Sequence, residues 1–261
     1  MMSFFWNQKI QREIMLSLLI VFGVSFFQKD QYKNIESIQP EILQEPTQSP
    51  TTSREISFER DGYSYILTPL YDYTIQGLAV STQPYDTWYN LSRVAKTFTK
   101  DICLIWGETV EKRGYQDKTL KISQDFRFCL YEYWSNELVF NANELSNSHL
   151  IPRDAEVEKK IRSIQAGDQI RMRGKLVNVD GTLIDVAGKY EREKTMWQTS
   201  ISRDDTGAGA CEVMYVEEIE ILQKGNILYC WLYNMSLFGI LMVIFLKICF
   251  FFLGWQRRMA K

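Results

Sequence analysis

The chain has 261 residues, of which 46% are hydrophobic and 14% aromatic, and its 30 basic and 32 acidic residues leave a formal net charge of -2. A charge this close to zero provides no overall cationic field that would hold a nucleic acid by counterion release. The chain has one histidine, His149, and no CxxC pair, so the clustered ligands of a zinc site are lacking. We therefore predict neither a metal nor a cofactor.

The N-terminal segment has an apolar run from Ile14 to Phe27, which follows Lys9 and Arg12. A run of this length fits the core of a signal peptide as well as a short membrane span. Because no Ala-x-Ala pattern occurs near its end, we favour an uncleaved anchor over residues 1–28. With either alternative, the basic residues predict an N-terminus that starts in the cytoplasm.

The next segment, residues 29–54, contains Pro40, Pro46 and Pro50 among mostly polar residues. Such a composition is too polar to form a core of its own. We predict a flexible linker here, followed by a folded domain over residues 55–226.

The central region is predicted to consist mainly of β-strands with one short helix. Strands are indicated by β-branched and aromatic residues that partly alternate with polar ones, at residues 71–81, 102–106, 126–134, 169–179 and 211–222. Within residues 152–164, Val157, Ile161 and Ile164 recur at helical spacing and acidic residues come early, which predicts the helix.

Residues 166–179 resemble a recurring piece of small β-barrels of the oligonucleotide/oligosaccharide-binding (OB) type. In those barrels a helix is followed by a Gly-Asp turn and by a strongly bent strand with an internal glycine. Gly174 would supply the bend. The resemblance implies a small antiparallel β-barrel with one short helix, and another antiparallel β fold with one helix is the alternative.

The C-terminal segment is uncharged from Ile227 to Leu246. At about 1.5 Å per residue this run covers the hydrocarbon core of a bilayer, about 30 Å thick. Beyond Lys247 the apolar residues continue to Trp255, and Arg257, Arg258 and Lys261 follow. We predict a transmembrane helix over residues 227–255 and a basic cytoplasmic tail over 256–261. The central domain then lies outside the cytoplasm, attached to the cytoplasmic membrane.

Three cysteines, Cys103, Cys129 and Cys211, lie in the central region, whereas Cys230 and Cys249 lie in the C-terminal apolar segment. In an oxidising compartment two of the three could form a disulfide and leave one thiol over. The alternative is that all three are small buried thiols.

Four stretches of the chain carry a second resemblance. They are DICLIWG at residues 101–107, LSNSHLI at 145–151, GDQIRMRG at 167–174 and TSISRDDTGAGACE at 199–212. Through them the region from Tyr71 to about Leu222 resembles a family of uncharacterised bacterial proteins that carry a membrane segment. The resemblance implies a bacterial origin and a shared domain, and it supplies no catalytic residue.

The densest polar stretch contains Arg203, Asp204 and Asp205, followed by Gly207 and Gly209. These residues could bind a cation through carboxylate oxygens or an anion through backbone N–H groups. The spacing of a calcium loop is absent. The alternative is a hairpin loop in which the aspartates bond to the backbone.

His149 could form a base and nucleophile pair with Cys211 or Cys103, which would only need to meet in space. No flanking pattern resembles a cysteine-peptidase motif. The alternative is that His149 is a loop residue bonded to its neighbours, so we assign no catalytic residue and keep His149 as a candidate binding residue.

Arg171, Arg173 and Lys175 alternate along one predicted strand and could form a basic stripe, with the aromatic residues near 131–134 as stacking surfaces. An acidic polysaccharide, a lipid headgroup or a protein would be its ligand outside the cytoplasm. The alternative is an ordinary solvated strand face.

Together these features predict a membrane-anchored extracytoplasmic binding or scaffolding module of the bacterial envelope. Its partners would be the lipid bilayer and another envelope or membrane protein. One alternative is a thiol-dependent or hydrolytic enzyme that uses Cys211 and His149. Another is a nucleic-acid binder, which would require the inverted topology.

Overall fold

A computed structural model describes residues 8–85, 97–125, 127–184, 194–205 and 210–259. Phe126, Gly207, Gly209 and Lys261, which figured in the predictions above, lie outside the described residues. The chain divides into two compact units. One is the domain Tyr32–Gly225, and the other combines Met1–Gln31 with Asn226–Lys261.

The described residues form mainly strands, as predicted. The strands are β1 Thr47–Pro50, β2 Ile56–Arg60, β3 Tyr63–Pro84, β4 Lys100–Ile105, β5 Lys121–Asp125, β6 Phe128–Glu132, β7 Leu145–Pro152, β8 Gln169–Leu183, β9 Lys194–Trp197 and β10 Glu212–Gln223. The helices are α1 Gln8–Gln28, α2 Gly107–Glu111, α3 Ala155–Ser163 and α4 Ile227–Met259. Short 3-10 turns lie at Tyr32–Asn34, Pro40–Leu43, Gly114–Gln116 and Ala142–Glu144.

Eight of these strands form one sheet, in the order β1-β3-β4-β7-β10-β8-β9, with β2 paired to β3. The long strand β3 pairs with β4 through its C-terminal part and with β8 through its N-terminal part. β7 and β10 are parallel, and the other pairs are antiparallel. β5 and β6 form a separate two-stranded hairpin.

The central strands are buried on both faces, which explains their long apolar runs. Every residue of β4 is buried. On one face Ile102 and Leu104 pack with Val157 and Ile161 of helix α3. On the other face Cys103 and its neighbours pack with a different apolar cluster.

Helix α3 confirms the helix predicted within residues 152–164. Asp154 is its N-cap and accepts a hydrogen bond from the backbone N–H of Val157 at 2.9 Å. Val157 and Ile161 face the sheet and are buried. Sequence and packing therefore agree on where this helix starts and which side it buries.

The prediction of a flexible linker over residues 29–54 is corrected by the structure. Tyr32, Ile35 and Ile42 are buried in the domain core, and β1 pairs with β3. Pro40 opens a 3-10 turn rather than an extended linker. A few apolar residues among the prolines are enough to attach this segment to a core that the rest of the domain provides.

The terminal unit contains two helices that are long and apolar enough to cross a membrane, at Lys9–Gln28 and Ile227–Phe252. Helix α1 is thus longer than the apolar run that the sequence analysis identified. The two helices contact each other: the rings of Phe22 and Tyr233 stack with centroids 5.1 Å apart. Ser25 and Ser236 are buried although most of the apolar side chains around them are exposed.

Candidate functional site

Three neighbouring strands bring an acid, an imidazole and a thiol to one face of the sheet. Asp101 of β4 lies directly opposite His149 of β7. Glu212, the first residue of β10, lies opposite Ser148. Cys211, one residue earlier, therefore points to the same face as Asn147 and His149, because side chains alternate between faces along a strand.

Asp101 and His149 form a fully buried ion pair. Nδ1 of His149 lies 2.6 Å from Oδ2 of Asp101, and neither side chain is exposed to solvent. Neither imidazole nitrogen makes a hydrogen bond of regular geometry to a described residue, so this contact rests on the distance between the charged groups. The Tyr85 hydroxyl donates a hydrogen bond to the same carboxylate oxygen. The ring of Phe98 stacks on the imidazole at 5.2 Å between centroids.

The charge state of this pair follows from its burial and its neighbours. Burial raises the pKa of Asp101, and the nearby His149 and Tyr85 oppose that rise. Burial alone would lower the pKa of His149, but Asp101 and the Cys211 thiol outweigh it and raise the pKa to about 9. The imidazole is therefore protonated at neutral pH and faces both a carboxylate and a thiol.

Cys211 is a free, buried thiol. Nδ2 of Asn147 donates a hydrogen bond to its sulfur at 3.2 Å and another to the backbone oxygen of Arg127 at 2.6 Å. The other two cysteines of the domain, Cys103 and Cys129, are joined by a disulfide. Of the alternatives left open by the sequence, the structure thus has one disulfide and one remaining thiol, and the thiol is the one beside His149.

Cys211 lies in a cleft of about 340 Å³, which falls within the size range of small-ligand sites, about 300–1,000 Å³. One wall is formed by residues 128–131 of strand β6. The other wall includes Asn143, Leu145 and Arg203. The thiol is therefore placed where a ligand in the cleft would meet it.

Arg203, which is partly exposed, forms an ion pair with the buried Glu212 at the edge of the same cleft. Arg203 also donates a hydrogen bond to the Tyr73 hydroxyl at 2.7 Å. Glu212 accepts a hydrogen bond from Ser146 at 2.8 Å. Burial raises the pKa of Glu212 and is opposed chiefly by the charge of Arg203. Arg203, a candidate binding residue from the sequence, therefore holds a buried carboxylate of its own chain.

The two aspartates beside Arg203 are also engaged. Asp204 accepts a hydrogen bond from Asn143 at 2.9 Å. Asp205 accepts one from the Ser200 hydroxyl and lines the cleft. Among the described residues, no group of three or more His, Cys, Asp or Glu side chains is arranged to hold a metal ion.

The predicted basic stripe lies on strand β8, and each of its members is ion-paired. Arg171 pairs with Glu220, and Arg173 pairs with Glu218 at 3.2 Å. Lys175 pairs with Asp72 at 2.6 Å. The positive charges of the stripe are therefore largely neutralised, and an anionic ligand would have to displace these carboxylates. None of the three basic residues lines the cleft beside Cys211.

The residue types in the sequence predict a pair of His149 and Cys211, but they do not identify Asp101 as a third member. The only signal was an acidic residue at the start of an otherwise apolar strand. The alternative that His149 is a loop residue is wrong, because His149 lies within β7 and is fully buried.

Comparisons of the chain with protein families, with curated proteins and with solved structures found no match.

Proposed function

We propose that this protein is a membrane-anchored thiol enzyme that transfers or hydrolyses acyl groups, with Cys211 as nucleophile. The observation that carries the proposal is the alignment of Asp101, His149 and Cys211 on one sheet face, with the thiol in a cleft. A nucleophile beside a base that a third group orients is the arrangement that nucleophilic catalysis requires.

In the proposed mechanism, the proton of the Cys211 thiol is held on Nε2 of His149, and Asp101 holds Nδ1 of the same ring. The resulting imidazolium stabilises a thiolate at Cys211. The thiolate attacks the carbonyl carbon of an ester, thioester or amide, so that an S–C bond forms. The bond to the leaving group breaks, and His149 gives its proton to the leaving atom. Water or another acceptor then cleaves the thioester and regenerates the thiol.

Asn147 would keep the sulfur in place during these steps. Its amide donates to Sγ of Cys211 and is itself fixed by the backbone oxygen of Arg127. A hydrogen bond to the charged form of an acid favours that form. We therefore give Asn147 a positioning role for the thiolate.

We further propose that the domain lies outside the cytoplasm of a bacterium, anchored by α1 and α4. Two features support this orientation. Basic residues lie on the terminal side of both apolar segments: Lys9 and Arg12 precede the first, and the basic residues within 257–261 follow the second. Such residues favour the cytoplasmic side of a membrane. The Cys103–Cys129 disulfide is of the kind that persists in oxidising compartments. Reporter fusions at residues 53 and 261 test the orientation, and an active cytoplasmic reporter at residue 53 would contradict it.

The strand pairing supports a small barrel of the OB type as the finer description of the fold. β3 pairs with β4, β4 with β7, β7 in parallel with β10, β10 with β8, and β8 again with β3. Helix α3 lies between β7 and β8 in the chain, as the resemblance of residues 166–179 implied. Barrels of this kind bind ligands on the face of strands 2 and 3 and in adjoining loops. The candidate site lies on β4 and β7, which occupy those places in the pairing order.

The reactivity of Cys211 toward iodoacetamide tests the enzyme proposal without a known substrate. The full-length protein in detergent is alkylated at pH 5–9, and modification of Cys211 is followed by mass spectrometry. We expect His149→Gln to slow this modification at least tenfold at pH 6, because the variant lacks the imidazolium that stabilises the thiolate. Ser148→Ala, a change beside His149 on the opposite sheet face, serves as the matched control. A rate of Cys211 modification that is unchanged by His149→Gln would overturn the proposal.

A non-enzymatic binding or scaffolding module, whose partner is another envelope or membrane protein, stays the second proposal. It is favoured by exposed aromatic side chains near the hairpin, Tyr133 at 53% and Trp134 at 70% exposure. The variant Cys211→Ala separates the two: a binding module keeps its biological role with this change, and a thiol enzyme loses it. A nucleic-acid binder requires a cytoplasmic domain and is tested by the same reporter fusions.

A further inference from the structure

The cleft beside Cys211 extends along strand β6. Four consecutive residues of β6, residues 128–131, line the cleft. Side chains of successive residues in a strand point to opposite faces, so a cleft over one face would meet only alternate residues. A cleft that meets four in a row reaches the edge of the strand, where backbone groups are presented.

That edge carries unused backbone hydrogen-bonding groups. In the described part of the chain, β6 pairs only with β5. Asp125 lies opposite Phe128 at the turn, and Gln124 lies opposite Cys129. In an antiparallel ladder closed by a short turn, the closing pair is bonded across the hairpin and bonded pairs alternate with unbonded ones. The N–H and C=O groups of Cys129 and Tyr131 therefore point away from β5, toward the free edge.

The side chains around this edge suit a polypeptide. Phe128 and Leu130 are exposed large apolar residues on one side of the hairpin. Across the cleft, Asn143 and Leu145 supply polar and apolar surface. A substrate that adds a strand to a free edge gains affinity from main-chain bonds and selectivity from pockets for alternate side chains.

We propose that the substrate is an extended polypeptide that pairs with the free edge of β6 and thereby presents one backbone carbonyl to Cys211. This inference rests on the proposed thiol chemistry and adds the substrate class to it. In the reaction, the sulfur bonds to the carbonyl carbon, the C–N bond of the peptide breaks, and His149 protonates the departing amine. Water then cleaves the thioester and releases a carboxylate. The exposed apolar residues of the hairpin favour apolar side chains in the substrate.

Peptidyl chloromethyl ketones test the inference, because they alkylate a thiolate only after their peptide part has bound. The full-length protein is treated with an apolar tripeptidyl chloromethyl ketone and with two analogues. Each analogue carries one N-methyl group, on one of two adjacent residues, and keeps the same side chains and reactive group. Strand addition uses the N–H of alternate residues only. We expect one analogue to label Cys211 at least tenfold more slowly and the other to label it at nearly the parent rate.

A pair of protein variants tests the same edge from the other side. Tyr131→Pro removes the N–H that faces the cleft, which is tolerated because proline is accepted on strand edges. Tyr131→Val removes the ring but keeps the N–H. We expect Tyr131→Pro to slow labelling by the parent peptide tenfold relative to Tyr131→Val, when the peptide rate of each variant is divided by its own rate with iodoacetamide.

The outcomes distinguish this inference from the proposed function. Equal labelling by all three peptides, or equal rates for Tyr131→Pro and Tyr131→Val, would overturn strand addition while leaving the thiol chemistry in place. A wild-type protein that reacts with neither iodoacetamide nor the peptides would overturn the thiol enzyme itself. Efficient labelling by a long-chain alkyl chloromethyl ketone, with no labelling by the peptides, would replace the polypeptide with a lipid acyl chain.

Discussion

The buried pair of Asp101 and His149 couples folding to pH. Burial by itself would lower the pKa of His149. The contacts with Asp101 and Cys211 outweigh burial and raise this pKa from 6.5 to about 9. A group whose pKa is raised on folding contributes stability that is complete below the unfolded pKa and is lost as the pH rises through the folded value. We expect the free energy of unfolding to fall between pH 6.5 and 9, by at most about 3 kcal/mol.

Urea unfolding of the full-length protein at pH 6, 7, 8 and 9 measures this fall. Asp101→Asn removes the carboxylate that raises the pKa of His149, so its unfolding midpoint should vary less over this range. Ser148→Ala should keep the slope of the wild-type protein. If Asp101→Asn shows the same pH dependence as the wild type, the pair does not carry the coupling.

Arg203 and Glu212 allow a second prediction at this scale. Removing one partner of a buried ion pair leaves an uncompensated charge and costs about 3–5 kcal/mol. Glu212 is 2% exposed, so we expect Arg203→Met to lower the free energy of unfolding by that amount. Adding Glu212→Gln should restore much of the loss, because the neutral amide needs no counter-charge. Urea unfolding of the single and double variants gives the coupling energy between the two residues. If the two losses of unfolding free energy simply add in the double variant, the predicted coupling is contradicted.

At the residue scale the sequence predicted part of the site. The chemical types of His149 and Cys211 indicated a base and a nucleophile, whatever their distance in the chain. Asp101 and Asn147 were not predicted, because their proximity to the site is set by the register of β4, β7 and β10. Register depends on pairing between distant segments, and local pattern does not specify it.

At the scale of elements, the disulfide ties the β5–β6 hairpin to the main sheet. Cys103 lies in β4 and Cys129 in β6, with a sequence separation of 26. Closing a loop of this length in the unfolded chain is expected to stabilise the fold by about 3 kcal/mol. We expect Cys129→Ser to lower the free energy of unfolding by about that much, and a reducing agent to mimic the change in the wild type. The control is Cys211→Ala, which lacks the free thiol but retains the disulfide. If a reducing agent leaves the unfolding midpoint of this variant unchanged, the prediction is contradicted.

Gly174 lies where the backbone of β10 leaves no room for a side chain on β8. A Cβ at this position would lie 2.0 Å from the backbone oxygen of Tyr215 and 3.1 Å from the backbone nitrogen of Glu217. The register of β10 against β8 shifts beside it, between Val216 and Glu218. We expect Gly174→Ala to cost at least about 2 kcal/mol through overpacking against rigid backbone. Gly62→Ala is a useful comparison, because a Cβ there meets nothing within 4 Å and only its positive φ opposes the change.

Elements with a strong local pattern were predicted, and those without one were not. The strand at 102–106 and the helix at 152–164 have clear apolar runs or periodicity, and both are confirmed as β4 and α3. β7 was missed because Ser146, Asn147, Ser148 and His149 occupy its interior. Polar residues of this kind usually indicate a loop. Here they are buried in the sheet, where Ser146 and Ser148 bond to each other, Asn147 bonds to Cys211 and His149 pairs with Asp101.

At the scale of the whole molecule, the domain is larger than the sequence indicated. It begins at Tyr32 rather than at residue 55, because the proline-containing segment packs on the core. The backbone N–H of Gln39 donates to the side chain of Gln169 at 2.7 Å, and Gln169 donates in turn to the backbone oxygen of Ser37 at the same distance. The N-terminal helix is thus joined to the domain by a short segment near Gln31 and not by a long flexible one.

The pairing of α1 with α4 in the terminal unit predicts that the N-terminal segment is retained in the mature protein. Side-chain atoms of Leu18 lie 3.0 Å from the position that a Cβ on Gly239 would take, so the two helices approach closely at a small residue. Ser25 of α1 and Ser236 of α4 are small residues that are also buried. Interfaces between membrane helices are enriched in such residues because van der Waals packing drives their association.

Cysteine cross-linking in native membranes measures this pairing. Leu18→Cys combined with Gly239→Cys, in a chain whose Cys230 and Cys249 are replaced by serine, should form a disulfide on mild oxidation and lose reactivity toward a maleimide. Leu19→Cys with Gly239→Cys is the matched control, because Leu19 is 48% exposed on another side of α1. Equal cross-linking of both pairs would contradict the packing. An intact mass that lacks the first helix would show instead that the segment is a cleaved signal. The proposed membrane anchor would then be reduced to α4.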